Sequence, residues 1–161
     1  MEFGMDVHMA RIGTEPLLSG ANVMSLQSPS TATVKLYGAN IPPSLKVADI
    51  DLGPGIKVTK MVSATPTMAT IEVAVEAKLP TGIRPISMLH STADRAIAIY
   101  DQIGYVKVTP DANMGRLGGV TAAKQFAQFE TVAYSNGADG KPMTADDIPL
   151  GAVPARWAMM T

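Results

Sequence analysis

Ile71-Glu72-Val73-Ala74-Val75-Glu76 sets Ile71, Val73 and Val75 on one side of an extended chain and Glu72 and Glu76 on the other. Side chains alternate across a strand with a period of two, so this stretch predicts a half-buried antiparallel strand. Thr33-Val34-Lys35-Leu36-Tyr37 repeats the pattern, and Gly38-Ala39-Asn40-Ile41-Pro42-Pro43 ends it with residues that cannot continue a ladder. Between the two, residues 47–52 and 56–62 alternate as well, and Gly53-Pro54-Gly55 predicts a turn that makes them neighbours. A break at Leu79-Pro80-Thr81-Gly82 and an apolar run over residues 83–89 predict one more strand. Several short strands separated by turn residues predict a β-sandwich.

Composition agrees with that reading. Of 161 residues 47% are apolar and 17% charged, too hydrophobic a balance for a disordered chain. Fourteen Gly and twelve Pro interrupt the sequence too often for long amphipathic helices. No window approaches the roughly 18 apolar residues of a membrane-spanning helix, so a soluble protein is expected. Thirteen basic and fourteen acidic residues give a net charge of −1, spread evenly along the chain. This balance provides no basic face for nucleic acid and no cationic cluster for an anionic membrane. With no cysteine, disulfides, Cys-ligated metals, thiol nucleophiles and thioether-attached haem are all excluded. Met1-Glu2-Phe3-Gly4-Met5-Asp6 lacks a basic region followed by an apolar one, so no signal peptide is expected.

The polar stretch His90-Ser91-Thr92-Ala93-Asp94 is read as a junction between two units. Beyond it, residues 96–100 and 105–109 predict strands. Residues 121–130 satisfy both helical and strand spacing and are read as a strand with a bulge near Phe126. In the tail, Val153, Ala155, Trp157 and Met159 alternate with Pro154, Arg156 and Ala158. This predicts a last strand with Trp157 turned into a core beside Phe129 and Val108. The expected division is an N-terminal segment at residues 1–20, a first sandwich at 21–91 and a second at 92–161.

Few residues offer chemistry. His8 and His90 stand alone, with no second ligand at metal spacing, and read as surface histidines. Gly115-Arg116-Leu117-Gly118-Gly119 is glycine-rich, but no secure helix follows to complete a phosphate cradle, and a turn is expected. The stretch from Asn136 to Asp147 gathers Asp139, Asp146 and Asp147 in a loop that could offer oxygen ligands to Ca²⁺. Asn136-Gly137 and Asp139-Gly140 are equally turn pairs, and a self-bonded turn is the favoured expectation. Asp49 and Asp51 add to the aspartates open to a small enzyme site, whose acid–base pair would require two carboxylates at a fixed separation in a cleft. Eleven methionines, among them Met24, Met61, Met68, Met88, Met114 and Met143, follow no repeat. They read as core filler before a copper or partner groove. No catalytic, cofactor-binding or metal-binding residue is assigned.

Val34-Lys35-Leu36-Tyr37-Gly38-Ala39-Asn40-Ile41-Pro42, Leu52-Gly53-Pro54-Gly55-Ile56-Lys57-Val58 and Pro80-Thr81-Gly82-Ile83-Arg84 together resemble an immunoglobulin-like module of the IPT/TIG type. Followed by Tyr105-Val106-Lys107-Val108-Thr109-Pro110, Gln128-Phe129-Glu130-Thr131-Val132-Ala133-Tyr134 and Val153-Pro154-Ala155-Arg156-Trp157, the arrangement resembles the C-terminal domains of the quinohemoprotein amine dehydrogenase alpha subunit. That resemblance implies an all-β fold of two consecutive immunoglobulin-like, E-set type sandwiches. In that family a dihaem cytochrome c domain opens the subunit and a separate small subunit carries the cysteine tryptophylquinone. The C-terminal modules bind neither group.

The resemblance therefore implies a non-catalytic scaffold with no cofactor of its own, periplasmic, whose partners are other domains or subunits of an amine dehydrogenase. The even charge balance and the lack of a long apolar window lead to the expectation of no nucleic acid and no membrane insertion. The alternative expectation is a stand-alone surface or extracellular binding module for a protein or glycan.

Overall fold

The computed structural model describes residues 13–158. His8 and Met159, both named above, lie outside them. Eleven strands form three sheets, with no α-helix among the described residues. The strands are β1 (Leu17–Ala21), β2 (Ser25–Gln27), β3 (Ser30–Ala39), β4 (Ile50–Asp51), β5 (Ile56–Thr65), β6 (Met68–Val75), β7 (Gly82–Met88), β8 (Ser91–Tyr100), β9 (Tyr105–Thr109), β10 (Glu130–Ser135) and β11 (Ile148–Ala152). One sheet runs β1-β3-β6-β5, a second β2-β8-β7-β4, and a third β11-β10-β9.

The first two sheets face each other as a sandwich. On β6, Ile71, Val73 and Val75 point inward, and β3 pairs antiparallel with it so that Val34 lies opposite Ile71 and Leu36 opposite Ala69. The facing sheet supplies Ile86, Met88, Ile97 and Ile99 to the same apolar cluster. Glu72 stays outside on this strand, where it meets Lys60 across the sheet at 3.6 Å. Ser28 is buried at the corner between sheets, where its hydroxyl donates to Glu76 O at 2.6 Å and accepts from Leu79 N at 3.2 Å. A buried hydroxyl with both capacities used incurs no desolvation penalty.

Two sequence expectations are corrected within this unit. Residues 47–52 are a short 3-10 turn, Val47–Asp49, followed by a two-residue strand. Asp49 Oδ2 accepts the Lys46 N–H at 2.8 Å, and this local bond competes with an extended conformation. The Gly53-Pro54-Gly55 turn also does not make residues 47–52 and 56–62 neighbours. β4 pairs with β7 and β5 with β6, so the turn carries the chain from one sheet to the other. Arg84 fixes the crossing by donating to Pro54 O at 2.5 Å and Pro80 O at 3.3 Å.

The expected junction at His90–Asp94 is corrected too. β7 and β8 form a hairpin with Met88 opposite Ser91, so residues 91–100 belong to the first sandwich. At the other end, β1 continues past residue 20 and pairs with β3. The first unit thus takes in residues assigned by sequence to both the leading segment and the second module.

The second unit, entered through Asp101–Gly104, contributes the three-stranded sheet. Tyr105 lies opposite Tyr134, Val106 opposite Ala133 and Val108 opposite Thr131. The seam with the first unit is short and closely packed. Ala98, Ala133 and Leu150 are buried together, and Ser25 Oγ donates to Leu150 O at 2.6 Å. Gly104 N donates to Tyr134 O at 2.8 Å. Ala98 therefore faces the second unit while its neighbours Ile97 and Ile99 face the first core.

Candidate interaction surface

The acidic loop is the most polar feature. Asp147 Oδ2 accepts from the Tyr105 hydroxyl at 2.8 Å and from Thr144 N at 2.9 Å, while Oδ1 accepts from Gly137 N at 3.1 Å. Asp146 Oδ1 accepts from Thr144 Oγ1 at 2.8 Å, and Oδ2 from Asp139 N at 3.3 Å. Asp139 Oδ1 accepts from Lys141 N at 2.8 Å. Each carboxylate is engaged by donors of the loop itself. Among the described residues no group of three or more His, Asp or Glu side chains is placed to hold a metal ion. The loop is anchored to the sheet through Tyr105, whose ring stacks on Tyr134 at 5.0 Å and 5°.

These bonds move the titrations. For Asp147, partial desolvation pushes the carboxyl up, but bonds from Tyr105, Thr144 and Gly137 outweigh it and hold it below the ordinary value. Asp146 is lowered first by the Thr144 hydroxyl and then by the Asp139 amide. Tyr105 is raised, first by desolvation and then by donating to Asp147. The lowered carboxyls contribute stability that is complete above about pH 4 and is lost as pH falls through their folded-state values. The raised phenol contributes stability that is complete below about pH 10 and is lost as pH rises through its own folded-state value. Asp147→Asn should flatten the acid limb of a melting-temperature profile and lower the plateau near neutrality; an unchanged acid limb would contradict the hydrogen-bond assignment.

The other carboxylates are also structural. Asp49 caps the 3-10 turn, and Asp51 Oδ1 accepts Gly53 N at 2.8 Å ahead of the crossing. Neither converges with the loop aspartates. His90 is exposed in the β7–β8 turn, in a recess of mixed polar and apolar lining shared with Asn40, Glu15 and Leu17. Of the methionines, Met88 is fully buried and Met61 packs at the rim of the core, whereas Met24, Met114 and Met143 are exposed.

The largest departures from the sequence reading lie in the second unit. Residues 121–129 are not a strand, since β10 begins only at Glu130. Residues 110–129 form instead an arm between β9 and β10, crossed by backbone bonds between Arg116 and Gln125 and between Gly119 and Ala122. Gly118 takes φ +84° in its turn, and a Cβ there would lie 2.8 Å from Lys124 N, so glycine is required where the two legs meet. The glycine-rich stretch thus serves a hairpin crossing.

Trp157 does not fill a core. The last strand is β11, and its pairing runs out at Val153, whose N–H donates to Thr131 O at 2.9 Å, because Pro154 lacks a donor. Trp157 is 55% exposed, tilted against Phe129 with ring centroids 6.4 Å apart. Val108, Phe129, Trp157 and Ala158 line an open apolar cleft of about 360 Å³. Met114, Leu117, Val120 and Phe126 project from the arm, each at least 74% exposed. Sequence reasoning assigned these aromatics to an interior because alternation alone does not say whether a second layer covers the face. Trp157→Ala should accordingly change folding stability by less than about 1 kcal/mol, against the 3–5 kcal/mol of a buried tryptophan. Urea titration distinguishes the two.

The chain is thus all-β, with immunoglobulin-like units, an acidic loop whose carboxylates are held by the loop and by Tyr105, and an open apolar surface on the second unit. Comparison with protein families finds quinohemoprotein amine dehydrogenase, alpha subunit domain III, over residues 22–101 and alpha subunit domain IV over residues 106–161. The chain belongs to the quinohemoprotein amine dehydrogenase alpha subunit family. The boundary between the two matches falls at residues 101–106, where β8 ends and β9 begins. Comparison with the curated proteins finds no match. Among the described residues no helix is long and apolar enough to cross a membrane.

Proposed function

We propose that this chain is a non-catalytic scaffold of an amine dehydrogenase alpha subunit, which packs against the haem-bearing and quinone-bearing parts of the enzyme in the periplasm. The observation that carries the reading is the pair of family matches, to domains III and IV in that order along one chain. Two further features support it. The units meet through a small buried seam at Ala98, Ala133 and Leu150, which suits a scaffold role. The loop aspartates are committed to bonds that hold the loop, and the chain has no cysteine for haem attachment.

On this reading the chain carries neither cofactor nor metal. Purified protein should show no haem Soret band, no amine oxidation, and the same melting temperature with millimolar Ca²⁺ as with chelator. Amine turnover by the chain alone would overturn the scaffold assignment. A stabilisation by Ca²⁺ that Asp139→Ala abolishes would overturn the metal-free loop. The alternative, a stand-alone binding module, is favoured by one observation, the apolar surface of the second unit. The two separate on genomic context, since a scaffold is encoded with or beside haem and quinone subunits.

A further inference from the structure

Asn136-Gly137 is the one Asn-Gly pair in the sequence, and it opens the acidic loop directly after β10. In an open chain such a pair is chemically labile, because glycine lets its backbone nitrogen reach the preceding side-chain amide. The fold meets that reactivity at three atoms. Asn136 Nδ2 donates to Gly140 O at 3.0 Å, which ties the amide across the loop. Asn136 Oδ1 is buried with no donor and rests against Gly104, where a Cβ would overlap it. Gly137 N donates to Asp147 Oδ1 at 3.1 Å, and the Asp146 carboxylate stands so close to Gly137 that no Cβ fits there. Attack of Gly137 N on Asn136 Cγ would place negative charge on an oxygen without a donor, and would take a proton from a nitrogen that faces a carboxylate. The closed loop therefore withholds the reaction.

We propose that Asn136 is a site of spontaneous deamidation gated by the acidic loop: opening of the loop permits the reaction, and the product prevents reclosure. In the open loop Gly137 N bonds to Asn136 Cγ, the Cγ–Nδ2 bond breaks, and the Gly137 amide proton leaves with Nδ2 as ammonia. Water then opens one of the two ring C–N bonds of the succinimide, its hydroxyl going to the carbonyl carbon and its proton to nitrogen, which leaves aspartate or isoaspartate. Neither product fits the closed loop. Aspartate sets an acceptor where Nδ2 now donates to Gly140 O, and a charged oxygen against Gly104 with no donor. The new charge joins Asp101 in the same recess and Asp146 and Asp147 around Gly137. Isoaspartate runs the backbone through the side-chain carbon and so displaces Gly137 from its bond to Asp147. Gly104 leads into β9 and donates to Tyr134 O, so the change reaches the joint between the units. The anchor of the gate is the Tyr105 hydroxyl on Asp147 Oδ2 at 2.8 Å. The proposal goes beyond the scaffold reading and does not rest on it.

Peptide mapping by mass spectrometry, on the full chain aged in mildly alkaline buffer, tests it by following the replacement of NH2 by OH at Asn136. Isomerisation at Asp139-Gly140 adds no mass and does not interfere. Urea-unfolded chain should deamidate at Asn136 at least about tenfold faster than folded chain, since opening is then complete. Tyr105→Phe removes a bond to a charged acceptor. It should raise the folded-state deamidation rate and the hydrogen exchange of the Gly137 amide by the same factor, about tenfold. Asn136→Asp, which carries the product side chain, should leave the Gly137 amide unprotected and lower the melting temperature of the second unit. Folded chain that deamidates as fast as unfolded chain would overturn the proposal. So would Tyr105→Phe with an unchanged deamidation rate, or Asn136→Asp that melts like wild type with Gly137 still protected. Should Tyr105→Phe lose its far-ultraviolet β signature, Thr144→Ala replaces it, removing the hydroxyl that donates to Asp146 Oδ1 at 2.8 Å.

Discussion

Ile71→Ala should lower the stability of the first sandwich by about 3–5 kcal/mol, the cost of losing buried methyl groups and leaving a cavity that a closely packed core fills poorly. Ile71 has no exposed surface, sits on β6 between β3 and β5, and faces side chains of the opposite sheet. Small all-β domains have only about 5–15 kcal/mol in hand, so the loss should move the urea midpoint far enough to read without ambiguity. A cost below about 1 kcal/mol would mean that the two sheets do not close on this residue.

The second large effect is expected at the seam. Gly151 holds φ +100°, a conformation open to glycine and strained for other residues, and a Cβ there would stand 3.2 Å from the Met24 Cβ. Gly151→Val therefore adds backbone strain of about 1–3 kcal/mol to an overpacking cost of similar size. Both fall on β11, which joins the third sheet to the first unit through Leu150. The expected result is a thermal transition that splits in two, the second unit melting first and the first sandwich keeping its own midpoint. A single, unshifted transition would show that Gly151 carries neither the strain nor the crowding assigned to it. Gly82→Ala serves as control, because nothing lies within 4 Å of a Cβ at that position.

How much of this was readable in the sequence depends on what each signal can encode. Alternation at Val34–Tyr37 and Ile71–Val75 reports a strand with one wet face, and both strands stand where they were expected, β3 extended to Ser30–Ala39 by polar Thr and Ser outside the clear period. Turn chemistry at Gly53-Pro54-Gly55 announces a reversal but not its span, so a crossing between sheets passed for a hairpin. The polar residues at 90–94 passed for a linker because Thr92 and Asp94 are the exposed positions of a strand that becomes buried only further on. That later part held an unread clue. Ala96-Ile97-Ala98-Ile99 is apolar without alternation, which is how a strand covered on both faces reads, and the second unit packs on Ala98. β11 was invisible for the opposite reason: Ile148-Pro149-Leu150-Gly151-Ala152 contains both residues that argue against a strand, tolerated here at the edge of its sheet.

The second unit shows the limit for site prediction. Trp157, Phe129 and Val108 were expected together and do line one cleft, yet the strands expected to carry Phe129 and Trp157 are absent, and burial depends on a covering layer that alternation does not specify. In the acidic loop the sequence shows the local donors to Asp139, Asp146 and Asp147, which lie within a dozen residues, but not Tyr105, which reaches Asp147 from β9. The family resemblance lies in residues that set turns and strand pairing, and this is why it is legible in a chain with no catalytic motif.

The most direct measurement is assembly. The purified chain, mixed with the haem-bearing and quinone-bearing parts of an amine dehydrogenase of this family from which domains III and IV have been removed, should co-elute with them in fixed stoichiometry on size exclusion. Amine oxidation should then belong to the assembly and not to the chain. Failure of the chain to associate, with those parts folded and carrying their cofactors, would contradict the scaffold account.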